Sequence, residues 1–526
     1  MLKQTRLLAF VCLFYTTAGA VAQTLRPVPA LVRSQRPENS GISAHSLFRK
    51  TATLDGSAAR FAQEAQFLRL DRAALDHLMA TEPSMLTLRL PYHDTELVID
   101  LVRYDITAPD FHIYADNRNE TIDCHEGLHY RGMMRGATNS VAAISLFENE
   151  IFGTVSDALY HNLVLGRVQI AHNTDGYILY SERELSMDNP FECVLNESLA
   201  APALEDLQQR FSTSKPAPTL HMALYAEHAF FLNRGDVTTT AHYLLAMFNQ
   251  VAVLFANEGL QLELTRVCIQ TSPVFDHTAG ATGILEQFRM SLREPAADLT
   301  QLVGLAETNP ESMACLDGLC TPQRAVAFCA IDPDFSNVPT FSWAAAALAH
   351  ETGHLLGARH PASSCRETVS FNPCLPGIAA RNNQDQAIEN TLMRYCLLAS
   401  EPVAFYAGFG PVSRPLMLDR VRGAACLQQT SGLELVPGER TGAVAGPLTI
   451  TPNPARDRVN VHLAVEEGRM ATRIQVSDLL GRSIRTWELS GQLDLWLDLS
   501  ALDKGIYLVQ VFSQDTLLAT RRLIRE

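Results

Sequence analysis

The stretch HETGHLLGARH, residues 350–360, constrains this chain more than any other. It follows the alanine-rich run FSWAAAALA, and the two together predict a helix over residues 341–356, with Ser342 near its start and Gly357 at its end. On a helix His350 and His354 project from one face and can meet a single ion, while Glu351 sits beside that face. A helix that continued would carry His360 away, whereas glycine at 357 can take a positive φ and turn the chain back. Three neutral imidazoles leave one position of a tetrahedral zinc open, where a water is acidified toward neutrality. Glu351 is placed to accept its proton and to pass it to a leaving amine. Any one of these histidines alone reads as an ordinary surface or core residue; the five positions together are specific.

The rest of the chain divides by its periodicity. From about residue 23 to 190, TLRLPYHDTELVIDLVRYDI and NSVAAISLFENEIFGTVS alternate apolar and polar residues, so a mostly β block is expected. The polar stretch STSKPAPT, 212–219, predicts a linker or processing site. LHMALYAEH then reads as a strand. TTTAHYLLAMFNQVAVLFANEG reads as an amphipathic helix, with Leu244, Leu245, Phe248, Val251 and Leu254 at helical spacing, which opens an α/β layer. CTPQRAVAFCAI predicts a further strand. TSGLELVPGERTGAVAGP is turn-rich, and the last eighty residues alternate in RVNVHLAV, RIQVSDLLG, LDLWLDLS and GIYLVQVF, as a small antiparallel β-sandwich would.

Charge and cysteines set the context. A net charge of -15 without a long acidic run argues against a nucleic-acid partner. MLKQTRLLAFVCLFYTTAGAVAQT has the layout of a secretory signal peptide cut after Ala22, and no later segment reads as a membrane span. Export permits disulfides. Cys268, Cys315, Cys320, Cys329, Cys365, Cys374, Cys396 and Cys426 therefore predict a disulfide framework of open pairing, with Cys124 and Cys193 upstream of it.

At His350, Glu351, His354, Gly357 and His360 the sequence resembles the metzincin metallopeptidases. That family also expects a methionine turn below the metal, and TLMRYC supplies Met393. Residues 216–430 look most like the adamalysin (reprolysin) branch, and CHEGLHYRGMMRGATNSVAAISLFENEIFGTV is similar to that branch's propeptide. The resemblance implies zinc on His350, His354 and His360, with Glu351 as general base. Tyr395 looks like the tyrosine that in astacins and serralysins reaches the zinc or the oxyanion. In NPFECVLNES, Cys193 stands where the branch carries a cysteine whose thiolate fills the open zinc position; a Cys124–Cys193 disulfide is the alternative. Pro361 replaces the usual Asp after the third histidine. His221 stands where the branch's calcium site has Glu, although Asp298 matches another ligand, so calcium stays open. TPNPARDRVNV, VSDLLGRSIRT and LDKGIYLVQV resemble the sorting domain of type IX secretion cargo.

The expected molecule is a secreted zinc endopeptidase made as a zymogen. Its parts are a signal peptide (1–22), a mostly β propeptide (23–215), an α/β metzincin catalytic domain with a twisted sheet and active-site helix (216–430), a linker (431–446) and a β-sandwich sorting domain (447–526). It would travel through the periplasm to the cell surface or medium, with protein or peptide substrates and the outer-membrane secretion machinery as partners. Substrate would lie extended along RAVAFCA as an edge strand. The competing reading, a catalytically inactive zinc-binding adhesion or inhibitor module, has no use for Glu351. Carbohydrate binding is weaker, with three Trp in the whole chain. The stretch 366–391, a candidate specificity wall, carries no pattern that names a substrate side chain.

Overall fold

The computed structural model describes residues 26–36, 44–52, 64–116, 121–186, 189, 191–193, 216–292, 297–335, 337–360, 391–394 and 403–428, and most of the strand residues between 448 and 525. The signal peptide, Cys365, Cys374, Tyr395, Cys396, the stretch 366–390 and the linker lie outside the described residues. The chain forms two compact units, residues 1–433 and 434–526.

Twelve strands precede residue 194: β1 (Ala44–His45), β2 (Phe48–Lys50), β3 (Gln66–Leu70), β4 (Met85–Tyr92), β5 (Thr95–Arg103), β6 (Thr107–Ala115), β7 (Leu128–Met134), β8 (Val141–Leu146), β9 (Ile151–Asp157), β10 (His161–Arg167), β11 (Gly176–Ser181) and β12 (Glu192–Cys193). All but β6 and β12 build one sheet in the order β1-β4-β5-β7-β8-β9-β10-β11-β3-β2, antiparallel apart from the β1–β4 pair. The period of two read from the sequence sorts side chains here between two cores. Ala142, Ile144, Leu163, Leu165, Tyr177 and Leu179 fill the sheet's own core. Val141, Ala143, Phe152, Val164, Ile178 and Tyr180 join a larger core shared with the residues after 216. Strands β8, β9 and β11 are therefore buried on both faces.

A second sheet takes β13 (Leu220–Ala226), β14 (Leu262–Ile269), β15 (Leu299–Leu305), β16 (Glu311–Ala314) and β17 (Val326–Ile331), and adds β6 and β12, in the order β12-β16-β17-β15-β13-β14-β6. Five of its strands run parallel; β16 is antiparallel to β17, and β12 runs with β16. RAVAFCA, expected at an edge, is thus interior: β16 covers β17, and β12 in turn pairs parallel with β16 through Glu192↔Glu311 and Cys193↔Ser312. A four-residue strand among turn formers carries too little periodicity to be seen beforehand. At the far end β6, from the N-terminal block, pairs with β14 through Leu264↔Thr107 and, after a register shift, from Arg266↔His112 to Ile269↔Ala115.

Helix Val237–Glu258 lies between the two sheets. Asp236 caps it by accepting from Thr239 N at 2.8 Å, and Gly259 ends it at φ 90°. From Thr240 to Glu258 every residue except His242 is buried, so the one-sided amphipathic helix expected here has no solvent face. By length and composition it would pass for a membrane span, which the sequence reading excluded; in this fold it is a core helix. The opposite face of the second sheet is covered by helix Gly280–Ser291, whose Ile284 and Phe288 pack on Tyr225 and Phe328.

Of the eight cysteines expected to pair, Cys320 and Cys426 do; Cys268, Cys315 and Cys329 are thiols on or beside apolar core, where no second sulfur meets them. In the second unit, strands Leu448–Thr451, Arg458–Leu463 and Asp494–Asp498 form one antiparallel sheet. Arg473–Ser477, Ser483–Glu488, Gly505–Ser513 and Thr516–Arg525 form another, and Val459, Val461, Leu497, Val476, Val509 and Val511 share one core.

Candidate metal centre

Helix Phe341–Leu355 is rich in alanine, the strongest helix former, and every residue in it is buried. Thr352 ties it to β15: Gln301 Nε2 donates to the Thr352 hydroxyl at 2.8 Å and to Leu348 O at 3.3 Å. The helix ends as its glycine requires. Gly357 has φ +86°, Gly357 N donates to His354 O and Ala358 N to Gly353 O, both at 2.9 Å, which is the Schellman arrangement. The reversal returns His360 to the helix face. Its Nε2 lies 3.0 Å from that of His350 and 3.1 Å from that of His354, and the latter two are 2.9 Å apart.

These contacts are not hydrogen bonds among the rings. His350 Nδ1–H donates to Leu392 O at 2.7 Å and His354 Nδ1–H to Ala358 O at 2.9 Å, so each Nε2 presents a lone pair to the same point. Burial holds the rings neutral: it brings His350 down to about 4 and His354 well below the usual imidazole value, with His350 adding to the effect on His354. His360 is lowered as well, by burial and then by His354. Three neutral imidazoles with converging lone pairs about 3 Å apart repel one another unless a cation sits among them, and this donor set suits zinc.

Beneath the helix, Met393 is buried and fits against the one residue that lacks a side chain to obstruct it: a Cβ at Gly353 would lie 2.7 Å from Met393 Sδ and 3.1 Å from the Phe409 ring. The same turn holds a ligand, since Leu392 O accepts from His350 while Leu392 N donates to Gly408 O at 2.8 Å. Backbone acceptors such as Leu392 and Ala358 carry no side-chain signature, so the sequence could not name them.

Glu351 is 0% exposed, and burial pushes its carboxyl up to about 8, with the Cys193 thiol beside it pulling the other way. Cys193 Sγ lies 3.5 Å from His354 Nε2; the sulfur and the three Nε2 atoms all fall within 4.8 Å of one another. Phe191, two residues earlier, sets its ring edge-on to His350 at 5.3 Å. Cys124 is elsewhere, 3.6 Å from His242 Nε2 at the start of the long helix, and is not bonded to Cys193. Behind Glu351, β17 carries Cys329, fully buried, its thiol pushed well up by burial and then by Glu351. At the N-terminal end of β13, Asp298 Oδ2 accepts from His221 N at 2.8 Å and meets His221 Nδ1 at 3.2 Å, so the imidazole itself engages the carboxylate.

Residues 219–400 match the model of the metallo-peptidase family M12, in its reprolysin-like form, which implies zinc. Residues 449–526 match the secretion system C-terminal sorting domain, which indicates export through the type IX machinery to the cell surface or medium. No curated protein matches the chain. Among solved structures, an immunoglobulin-like protein from Pseudomonas aeruginosa is similar over 16% of this chain and 94% of its own, at 13% identity and a TM-score of 0.11. The catalytically inactive OgpA of Akkermansia muciniphila, solved with an O-glycopeptide substrate, is similar over 62% of this chain and 97% of its own, at 11% identity and a TM-score of 0.22.

Proposed function

We propose that this exported chain, with its M12 metallopeptidase domain, is a zinc-dependent endopeptidase made as a latent precursor. Residues 23–215 would act as propeptide, 216–430 as catalytic domain and 447–526 as a β-sandwich sorting domain. One observation carries the reading: three neutral imidazoles and a thiol converge on a single point, with the buried carboxyl of Glu351 beside the thiol. His350, His354 and His360 would hold the metal. Bound there, zinc supplies Lewis acidity, polarising a peptide carbonyl and acidifying water.

The chain's own residues do the rest. Glu351 takes the proton of the attacking water and hands it to the departing amine nitrogen; its raised pKa suits a group that must both accept and release a proton near neutrality. The methionine turn fixes His350 through Leu392 O, and Ala358 O fixes His354. An extended peptide would lie along β16, the edge strand of the domain once β12 is gone. Tyr395, two residues past Met393, is proposed to steady the oxyanion.

Latency follows from Cys193. A thiol at the open coordination position excludes water, and the segment that carries it occupies the edge where substrate would pair. Glu351 weighs against an inactive zinc-binding module, because such a protein would gain nothing from a carboxylate buried beside the metal site.

The test is Glu351→Ala in the processed enzyme. Zinc content by elemental analysis should stay at one equivalent while hydrolysis of a quenched peptide falls by about 10²–10⁴-fold. Loss of zinc would make Glu351 a ligand, and retained hydrolysis would remove it from the mechanism.

A further inference from the structure

We infer that the block before Phe191 stays on the M12 domain as a non-covalent subunit of the active enzyme, and that activation displaces only the segment Phe191–Cys193. The inference rests on the latency reading above for what Cys193 does; the retention of the block stands on the packing.

The two attachments differ in kind. Phe191–Cys193 joins the second sheet through two paired residues at its edge. The rest of the block is built into the domain. Strand β6 pairs with β14 at Thr107 and from His112 to Ala115, and Asp116 beyond it accepts from Thr271 N at 2.7 Å. Helix Val237–Glu258 is enclosed by the block: Phe147 stacks on His242 at 4.2 Å, and Phe152 meets Tyr243 at 5.9 Å and Phe341 of the zinc-site helix at 5.3 Å. Buried polar groups of the helix take their partners from the block. Asn249 Nδ2 donates to Ile144 O and Ser145 Oγ, and the Thr154 hydroxyl donates to Gln250 Oε1 at 2.6 Å.

Other buried groups cross the boundary as well. Asn162 donates to Val403 O at 2.6 Å and accepts from Phe405 N at 3.0 Å, and the Tyr180 hydroxyl donates to Pro339 O at 2.7 Å. Glu258, 1% exposed, is held by Arg26 and Arg414. A separating block would leave Asn249, Gln250, Asn162 and Tyr180 without these partners, take Arg26 from Glu258, and expose a helix buried nearly all round. The boundary thus resembles the obligate interfaces that look like a domain core cut in half, whereas a segment meant to leave is joined through smaller and wetter contacts.

The partner this surface fits is therefore the chain's own first block, as a separate polypeptide. To test it, recognition sites for a sequence-specific protease are placed between residues 186 and 190 and between 194 and 215 of the full chain. After cutting, native mass spectrometry and size-exclusion chromatography report which pieces stay together, and each fraction is assayed on a quenched peptide. The expected result is a one-to-one complex of first block and M12 fragment, with the short Cys193 peptide lost and hydrolysis present in the complex. Release of the M12 fragment on its own overturns the inference, as does hydrolysis found only in fractions lacking the block. A complex that holds together, has lost the Cys193 peptide and still hydrolyses nothing supports retention and instead sinks the peptidase reading, whereas a Cys193 peptide that stays bound after both cuts overturns the displacement half of the inference. If the double insertion prevents cooperative melting of the uncut chain, the single cut between 194 and 215 decides retention by the same criteria.

Discussion

Individual residues decide whether this site is open. Cys193 is 1% exposed and 3.5 Å from His354 Nε2, the right chemistry and reach for a ligand that blocks the catalytic position. Cys193→Ala in the uncut chain should therefore yield a precursor that hydrolyses a quenched peptide before processing, while Cys124→Ala stays latent. Activity of the two variants beside the parent checks this, with thiol counting on the unprocessed parent. Equal latency in all three would assign the block to shape alone. The convergence of His350, His354 and His360 was legible because its geometry is local: a four-residue step on a helix and a glycine reversal bring the rings together whatever the rest of the chain does. Cys193 was legible only by resemblance, since 161 residues separate it from His354.

Among elements, helix Phe341–Leu355 and the turn that carries Met393 are closely joined. Gly353→Ala would stabilise an isolated helix by about 1 kcal/mol. Here the added Cβ would meet Met393 Sδ at 2.7 Å and the Phe409 ring at 3.1 Å, and overpacking of this kind costs typically 1–3 kcal/mol. The variant should melt lower than the parent and lose zinc to a chelator faster, because the displaced turn also carries the Leu392 carbonyl that orients His350. A rise in melting temperature would mean the turn has room to move. Strand and helix types were mostly readable from periodicity, including the helix over 341–355. The edge position given to RAVAFCA was not, because its cover, β16, has four residues, and strand neighbours are set by topology that a local pattern does not encode.

For the whole molecule, the buried carboxylates between the two sheets make stability depend on pH in an unusual direction. Glu182 is raised to about 7 by burial, against a hydrogen bond from Asn162 at 2.7 Å. Its folded pKa lies above the unfolded value near 4.5, so the folded state binds the extra proton between those limits. The stability linked to that proton is full below about 4.5 and is lost as pH rises through about 7, roughly 3 kcal/mol in all. Glu258 and Glu150 are raised by burial as well and act in the same sense. Glu182→Gln should therefore melt close to the parent at pH 4.5 and above it at pH 7.5; thermal unfolding of the full chain at both values tests this, and parallel curves would refute it. The sequence suggested a β block followed by an α/β domain. That the two share a core and exchange strands was not visible, since β6 meets β14 across some 150 residues and leaves no periodic trace.

The enclosed helix Val237–Glu258 has a consequence for the journey that precedes folding. A helix covered on both sides must be apolar around its whole circumference, and in the unfolded chain that makes a segment long and greasy enough to settle in a bilayer. An exported chain has to carry this segment past lipid without stopping there. The polar residues at its middle and end, Asn249 and Gln250, which reach into the neighbouring sheet, and Glu258, which meets arginines and Phe409 N, are costly to bury in hydrocarbon. The same side chains that tie this helix to the first sheet in the folded protein are thus expected to keep it from lodging in lipid beforehand.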